Sequence, residues 1–85
     1  LGLVNAVVPH DELISTASKY AQRIAKGPAI ALMLQKRVLR NAVSTSFEQN
    51  RDYEAVSQIL ASQTRDCAEG LQAAQERRKP EFKGR

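Results

Sequence analysis

Eighty-five residues, with 13 Lys and Arg against 9 Asp and Glu, give a chain of formal charge +4 that is long enough for one small domain. Aromatic residues make up 5% and Trp is absent, so any core must be aliphatic. The single cysteine, Cys67, excludes an internal disulfide and a cysteine-rich metal site, and no apolar run approaches the ~20 residues of a membrane helix.

In chain order, Leu3 to Val8 is a short apolar run, β-branched at Val4, Val7 and Val8 and closed by Pro9, which marks a strand candidate. A lone strand leaves its backbone groups unpaired, so the segment is either a strand whose partner lies elsewhere or extended coil. The opening Leu1-Gly2-Leu3-Val4 falls in mid-pattern, without a charged leader or signal-type segment, as in a piece of a longer protein. From Asp11 to Lys26, Leu13, Ile14, Ala17, Tyr20, Ala21, Ile24 and Ala25 recur on one face of a 3.6-residue period, predicting a first helix over 11–26. Gly27 is the expected C-cap and Pro28 a good first residue for the next helix.

The second helix is predicted over 28–43 and is apolar around more than half its circumference, which calls for neighbours on several sides. Its polar strip is basic, with Lys36, Arg37 and Arg40. Ser44-Thr45-Ser46 breaks the pattern, and Ser46 with Gln49 forms a capping box that starts a third helix over 46–62, burying Phe47, Val56, Ile59, Leu60 and Tyr53. A second capping box, Asp66 with Glu69, is expected to start a fourth helix over 66–78 carrying Cys67, Leu71 and Ala74 on one side. Gly70 inside it suggests close approach of another backbone, and Lys79-Pro80 is the expected stop. The fold class is therefore all-α: a bundle of three to four helices, the first three forming the core. The expected domains are an extended segment over 1–9 and a helical domain over 10–85.

Little on the chain carries chemistry by itself. His10, the sole histidine, follows Pro9 at a helix start and suits capping or exposure better than proton transfer. No Ser/His/Asp set, metal cluster or phosphate-cradling Gly-x-Gly loop is present, so neither a catalytic residue nor a metal ligand is assigned. Asp52 and Glu54, two apart on a helix, do not converge on one substrate. Arg77, Arg78, Lys79, Lys83 and Arg85 either contact phosphates of a nucleic acid or nucleotide-containing cofactor, or simply complement a helix C-terminus and aid solubility.

Three stretches in the same order resemble the C-terminal part of the crotonase superfamily, the enoyl-CoA hydratases and isomerases. They are Gly2 to Pro9 with Asp11-Glu12-Leu13; Ala21-Gln22-Arg23-Ile24-Ala25 through Gly27-Pro28 with Lys36-Arg37 and Leu39; and Glu69-Gly70 with Glu76-Arg77-Arg78-Lys79-Pro80 and Phe82-Lys83-Gly84. The resemblance implies a parent enzyme acting on acyl-CoA thioesters, with coenzyme A thioester as substrate and no tightly bound cofactor. It places the CoA site, the backbone oxyanion hole that stabilises an enolate and the catalytic carboxylates upstream of Leu1. Leu3 to Val8 would be the last strand of that core. The helices would cover the active site and mediate assembly with the upstream core and neighbouring subunits, as a trimer or dimer of trimers.

By the same resemblance Arg77 is the candidate contact to a CoA phosphate, and the aromatic residue common three positions earlier is replaced by Ala74. Nucleic acid and membrane are not expected partners, and the location is cytoplasmic, or the mitochondrial matrix in a eukaryote. The alternative is a small basic helical module that binds nucleic acid or a partner protein. Taken alone, the chain is expected to be inactive and to self-associate through its second and third helices, with Leu34 and Leu39 as the sensitive positions.

Overall fold

In the computed structural model, which describes residues 2–85, helices end where their free backbone groups find partners. The elements are a 3-10 turn (His10–Glu12), α1 (Leu13–Ala25), α2 (Ala29–Asn41), α3 (Phe47–Ser62) and α4 (Arg65–Gln75). No strand occurs among the described residues, so the chain is all-helical. Leu3 to Val8 runs as bends and coil with Leu3 87% exposed; a strand there would need a partner that the described residues do not provide.

Local chemistry explains each boundary. Asp11 and Glu12 fall in the 3-10 turn rather than in the first turn of α1. Lys26 caps the C-terminus of α1, and Gly27 follows without a left-handed backbone. Glycine is needed there for space, since a Cβ would stand 3.0 Å from Leu32 Cδ1 and 3.1 Å from the Ile24 carbonyl oxygen. Pro28 is the N-cap of α2 rather than its first helical residue. At the far end the Asn41 carbonyl accepts from the backbone N–H groups of Ser44 and Thr45 and from the Thr45 hydroxyl, which closes α2 two residues before the expected Val43. The Ser46–Gln49 capping box forms as the sequence indicates: Ser46 Oγ accepts from Gln49 N at 3.1 Å, and Gln49 Oε1 accepts from Ser46 N at 3.2 Å.

The core is a helical hairpin of α2 on α3, with α4 packed on α3. Its seam is built from Ala31, Leu34 and Val38 of α2 and Ser57, Gln58 and Ala61 of α3, each set one helical face. Leu34 is 8% exposed and Ser57 is 6% exposed, and small residues at 31, 57 and 61 let the helices approach. The expectation that the first three helices form the core does not hold, because α1 buries no residue. Its apolar face, with Leu13, Ile14, Tyr20 and Ile24, faces no partner that covers it. On α3 only Tyr53 of the five expected core residues is half-buried; Phe47, Val56, Ile59 and Leu60 are exposed.

Global dimensions agree. The radius of gyration is 15.9 Å, against about 12 Å for a compact domain of this length. The accessible surface is 7511 Å², against about 5000 Å² for a folded monomer of this mass.

Candidate functional site

One face of α4, from its first turn onward, and the tail after it form the region where polar side chains converge among the described residues. Asp66, Glu69, Gly70 and Ala73 lie on one face of α4, at the i, i+3, i+4 and i+7 spacing. The tail, residues 78–85, folds back along that face. Asp66, 3% exposed, accepts the Lys83 N–H on Oδ1 and the Gly84 N–H on Oδ2, both at 2.8 Å. Its own N–H donates to the Arg85 carbonyl at 2.8 Å. Glu69 takes Arg78 in a two-pronged ion pair, Nη1 to Oε1 at 2.6 Å and Nη2 to Oε2 at 3.1 Å, and accepts the Glu81 N–H at 2.9 Å. Arg78 Nε also reaches Glu76 Oε2 at 2.5 Å.

These bonds set the charge states. The Arg78 guanidinium, followed by the Glu81 N–H, holds the Glu69 carboxyl at about 2, below its ordinary value. Hydrogen bonds from Arg78 and then Gln72 lower Glu76, and the two carboxylates in turn raise Arg78.

The expected Asp66–Glu69 capping box is therefore not what starts α4. Thr64 is the N-cap, its hydroxyl oxygen accepting from Cys67 N at 3.1 Å, and this frees both carboxylates to hold the tail. Pro80 is not the stop either. The Arg78 N–H bonds the Ala73 carbonyl at 3.0 Å and the Arg77 N–H bonds the Ala74 carbonyl at 3.3 Å, a Schellman motif that ends α4 at Gln75. Gly70 faces the ring of Phe82, 3.5 Å from where a Cβ would stand, and not another backbone. Leu71 and Ala74 are exposed, while Ala73, which the sequence reading passed over, is 1% exposed beneath the tail. The sequence shows two acids, a glycine and an alanine on one helical face, but not that the tail folds back onto it.

Arg77 occupies the left-handed position of the Schellman motif, φ 54°, where glycine is the usual residue. Neighbouring arginines thus have opposite situations: Arg78 is tied to two carboxylates, whereas Arg77 is exposed and makes no ion pair among the described residues. Lys79 follows one residue after Arg78 and is exposed, as is Lys83, whose N–H bonds Asp66 at the first turn of α4. His10 is exposed in the 3-10 turn, and Asp52 and Glu54 are exposed on α3. Among the described residues no three His, Cys, Asp or Glu side chains gather as a metal site, and no helix is long and apolar enough to cross a membrane.

Comparison with known proteins gives a consistent result. Residues 1–85 match the enoyl-CoA hydratase/isomerase family. The chain is 31% identical over 84 residues to 1,2-epoxyphenylacetyl-CoA isomerase of Escherichia coli, covering 99% of this chain and 32% of that protein. It is 34% identical over 82 residues to crotonyl-CoA hydratase of Syntrophomonas wolfei, covering 96% and 32%. The crystal structure of enoyl-CoA hydratase from Bacillus anthracis superposes with a TM-score of 0.87 at 34% identity, covering 99% of this chain and 33% of that one. The chain spans about a third of the length of the curated relatives it matches.

Proposed function

The chain belongs to the enoyl-CoA hydratase/isomerase family, and from that premise we propose that it forms the helical C-terminal part of an enzyme acting on acyl-CoA thioesters. Its role is to cover the active site and to mediate assembly. The observation that carries this reading is the open apolar surface: α1 buries nothing, and Ile24, Met33, Leu39, Val56, Ile59 and Leu60 are all exposed. Such faces fit the upstream core and neighbouring subunits. The relatives are named for CoA-thioester isomerisation and hydration, and the chain spans about a third of each.

In this reading the chain supplies surface and one charge. Arg77 contacts a CoA phosphate: its guanidinium is exposed and without a competing carboxylate, and its left-handed backbone sets it apart from Arg78. The alternative of a nucleic-acid module has weaker support. Its densest cationic cluster loses Arg78 to Glu69 and Glu76, and the family match extends over the whole chain.

The test is turnover. Purified chain is expected to leave crotonyl-CoA unchanged, because it carries no assigned catalytic carboxylate or oxyanion hole. Hydration that co-purifies with the chain through several separations would contradict the proposal. In a full-length protein containing this segment, Arg77→Ala should weaken CoA-thioester binding by about tenfold, the usual loss for one charged hydrogen bond, with kcat little changed. An unaltered KM would remove Arg77 from the site.

A further inference from the structure

Among the described residues, the tail is the segment held to a helix mainly by carboxylates. Five polar links run from Asp66 and Glu69 to it: the Lys83, Gly84 and Glu81 N–H groups, the Arg78 guanidinium and the Arg85 carbonyl. One apolar anchor, Phe82, lies half-buried over Gly70. Beyond α4 the strap reaches the start of α2, where Gly84 lies beside Ala29. Under it is a cleft of about 320 Å³ walled by Pro28, Ala31, Ala61, Cys67, Leu71 and Phe82, which brings residues of α2, α3, α4 and the tail together.

We propose that Asp66 and Glu69 are the two halves of a latch that fixes residues 78–85 along α4 as a single strap, holding Phe82 as one wall of the open cleft and tying α4 back to the start of α2. Four features make it one unit. The bonded groups fall in two successive sets along the tail: the Glu69 carboxylate holds residues 78 and 81, and Asp66 holds 83 and 84 through its carboxylate and 85 through its backbone N–H. Phe82 sits between the two sets, so neither half releases the ring unless the other also yields. The strap begins at Arg77, whose left-handed backbone fixes the reversal of the chain. Both carboxylates are on the i and i+3 positions of one helix, a rigid spacing that does not adapt to a partly detached tail. This latch is independent of any CoA contact by Arg77.

Amide hydrogen exchange on the 85-residue chain tests it, comparing the parent with Glu69→Gln, Asp66→Asn and Arg78→Met. The expected result is that each variant speeds exchange at the Glu81, Lys83 and Gly84 amides together by about tenfold or more, the effect of removing a hydrogen bond to a charged group. Trypsin should cut Lys83–Gly84 faster in step. The amides of α2 and α3 should keep their protection, which separates latch release from unfolding. Arg78→Met leaves α4 itself unaltered, so it reports on the strap even if a change within α4 weakens that helix. Loss of protection confined to the amides that the substituted residue bonds directly would overturn the proposal. So would equal, rapid exchange of all three amides in the parent.

Discussion

Arg77 stores strain where the chain reverses after α4. A non-glycine residue in the left-handed region costs about 1 kcal/mol, and Arg77 is the one non-glycine residue with positive φ among those described. Arg77→Gly should therefore stabilise the fold by about 1 kcal/mol, whereas Arg77→Ala keeps the strain and should be nearly neutral. Equal melting temperatures for the two variants would show that the position is unstrained. A second pair of substitutions separates two glycines by what a methyl would meet. Gly70→Ala places a methyl at ordinary contact distance from Phe82 and improves helix propensity, so stability should hold or rise by up to about 1 kcal/mol. Gly27→Ala drives its methyl against the Ile24 carbonyl, a backbone atom that cannot turn aside, and should destabilise. Denaturant midpoints of the two variants, moving in opposite directions, check both.

Glu69 gives the residue scale its pH dependence. Its folded value, about 2, lies below the ordinary 4.5 because of Arg78 first and the Glu81 N–H second, with Lys83 assisting and burial opposing. A lowered carboxyl contributes stability that is complete above about 4.5 and is lost as pH falls towards 2. Protection of the Glu81 amide should follow that window, and Glu69→Gln should abolish the pH response there. The side chains of Arg78 and Glu69 are 38% and 24% exposed, so salt should weaken the pair.

At the scale of elements, caps decide more than periodicity does. Ser46→Ala should cost α3 about 1 kcal/mol, since the box satisfies two backbone N–H groups at once; a loss of helicity confined to α3, read from exchange of its first-turn amides, is the expected signature. The existence and order of the helices, the Ser46–Gln49 box and the all-α class were legible in the sequence because each rests on neighbouring residues. The start and stop of α4 were not. Asp66 followed by Glu69 is a capping pattern, yet Thr64 took that role and the two carboxylates bound a tail 9 to 18 residues away, which local spacing does not encode. Pro80 looked like the stop, but the Ala74 and Ala73 carbonyls were satisfied earlier by the N–H groups of Arg77 and Arg78, which requires Arg77 to turn left-handed. Arg77 and Arg78 read as equivalent cations for the same reason: only folding back of the tail assigns Arg78 to Glu69. The faces of α1 and α3 were read correctly as apolar and incorrectly as buried within the chain. Periodicity reports that a face avoids water, not which partner covers it.

At the scale of the whole molecule, that uncovered surface is the dominant fact. An open groove of about 850 Å³ between the end of α1 and α2 is lined by Ile24, Leu32, Met33 and Leu39, with Lys36 at its side. Together with the exposed Val56, Ile59 and Leu60 of α3, it makes an extended apolar surface open to water, the kind that ordinarily meets a partner. The account holds that these faces are contact surfaces, and it separates two leucines on α2. Leu34 is 8% exposed in the hairpin seam, so Leu34→Glu should unfold the hairpin; Leu39, 66% exposed, probes the contact surface without entering the seam. Sedimentation velocity of the isolated chain across a wide concentration range tests the claim most directly. The expected result is concentration-dependent species well above 9.4 kDa, lost in Leu39→Glu with helicity retained and unaffected by Arg77→Ala. A clean, folded 9.4 kDa monomer at high concentration would contradict it.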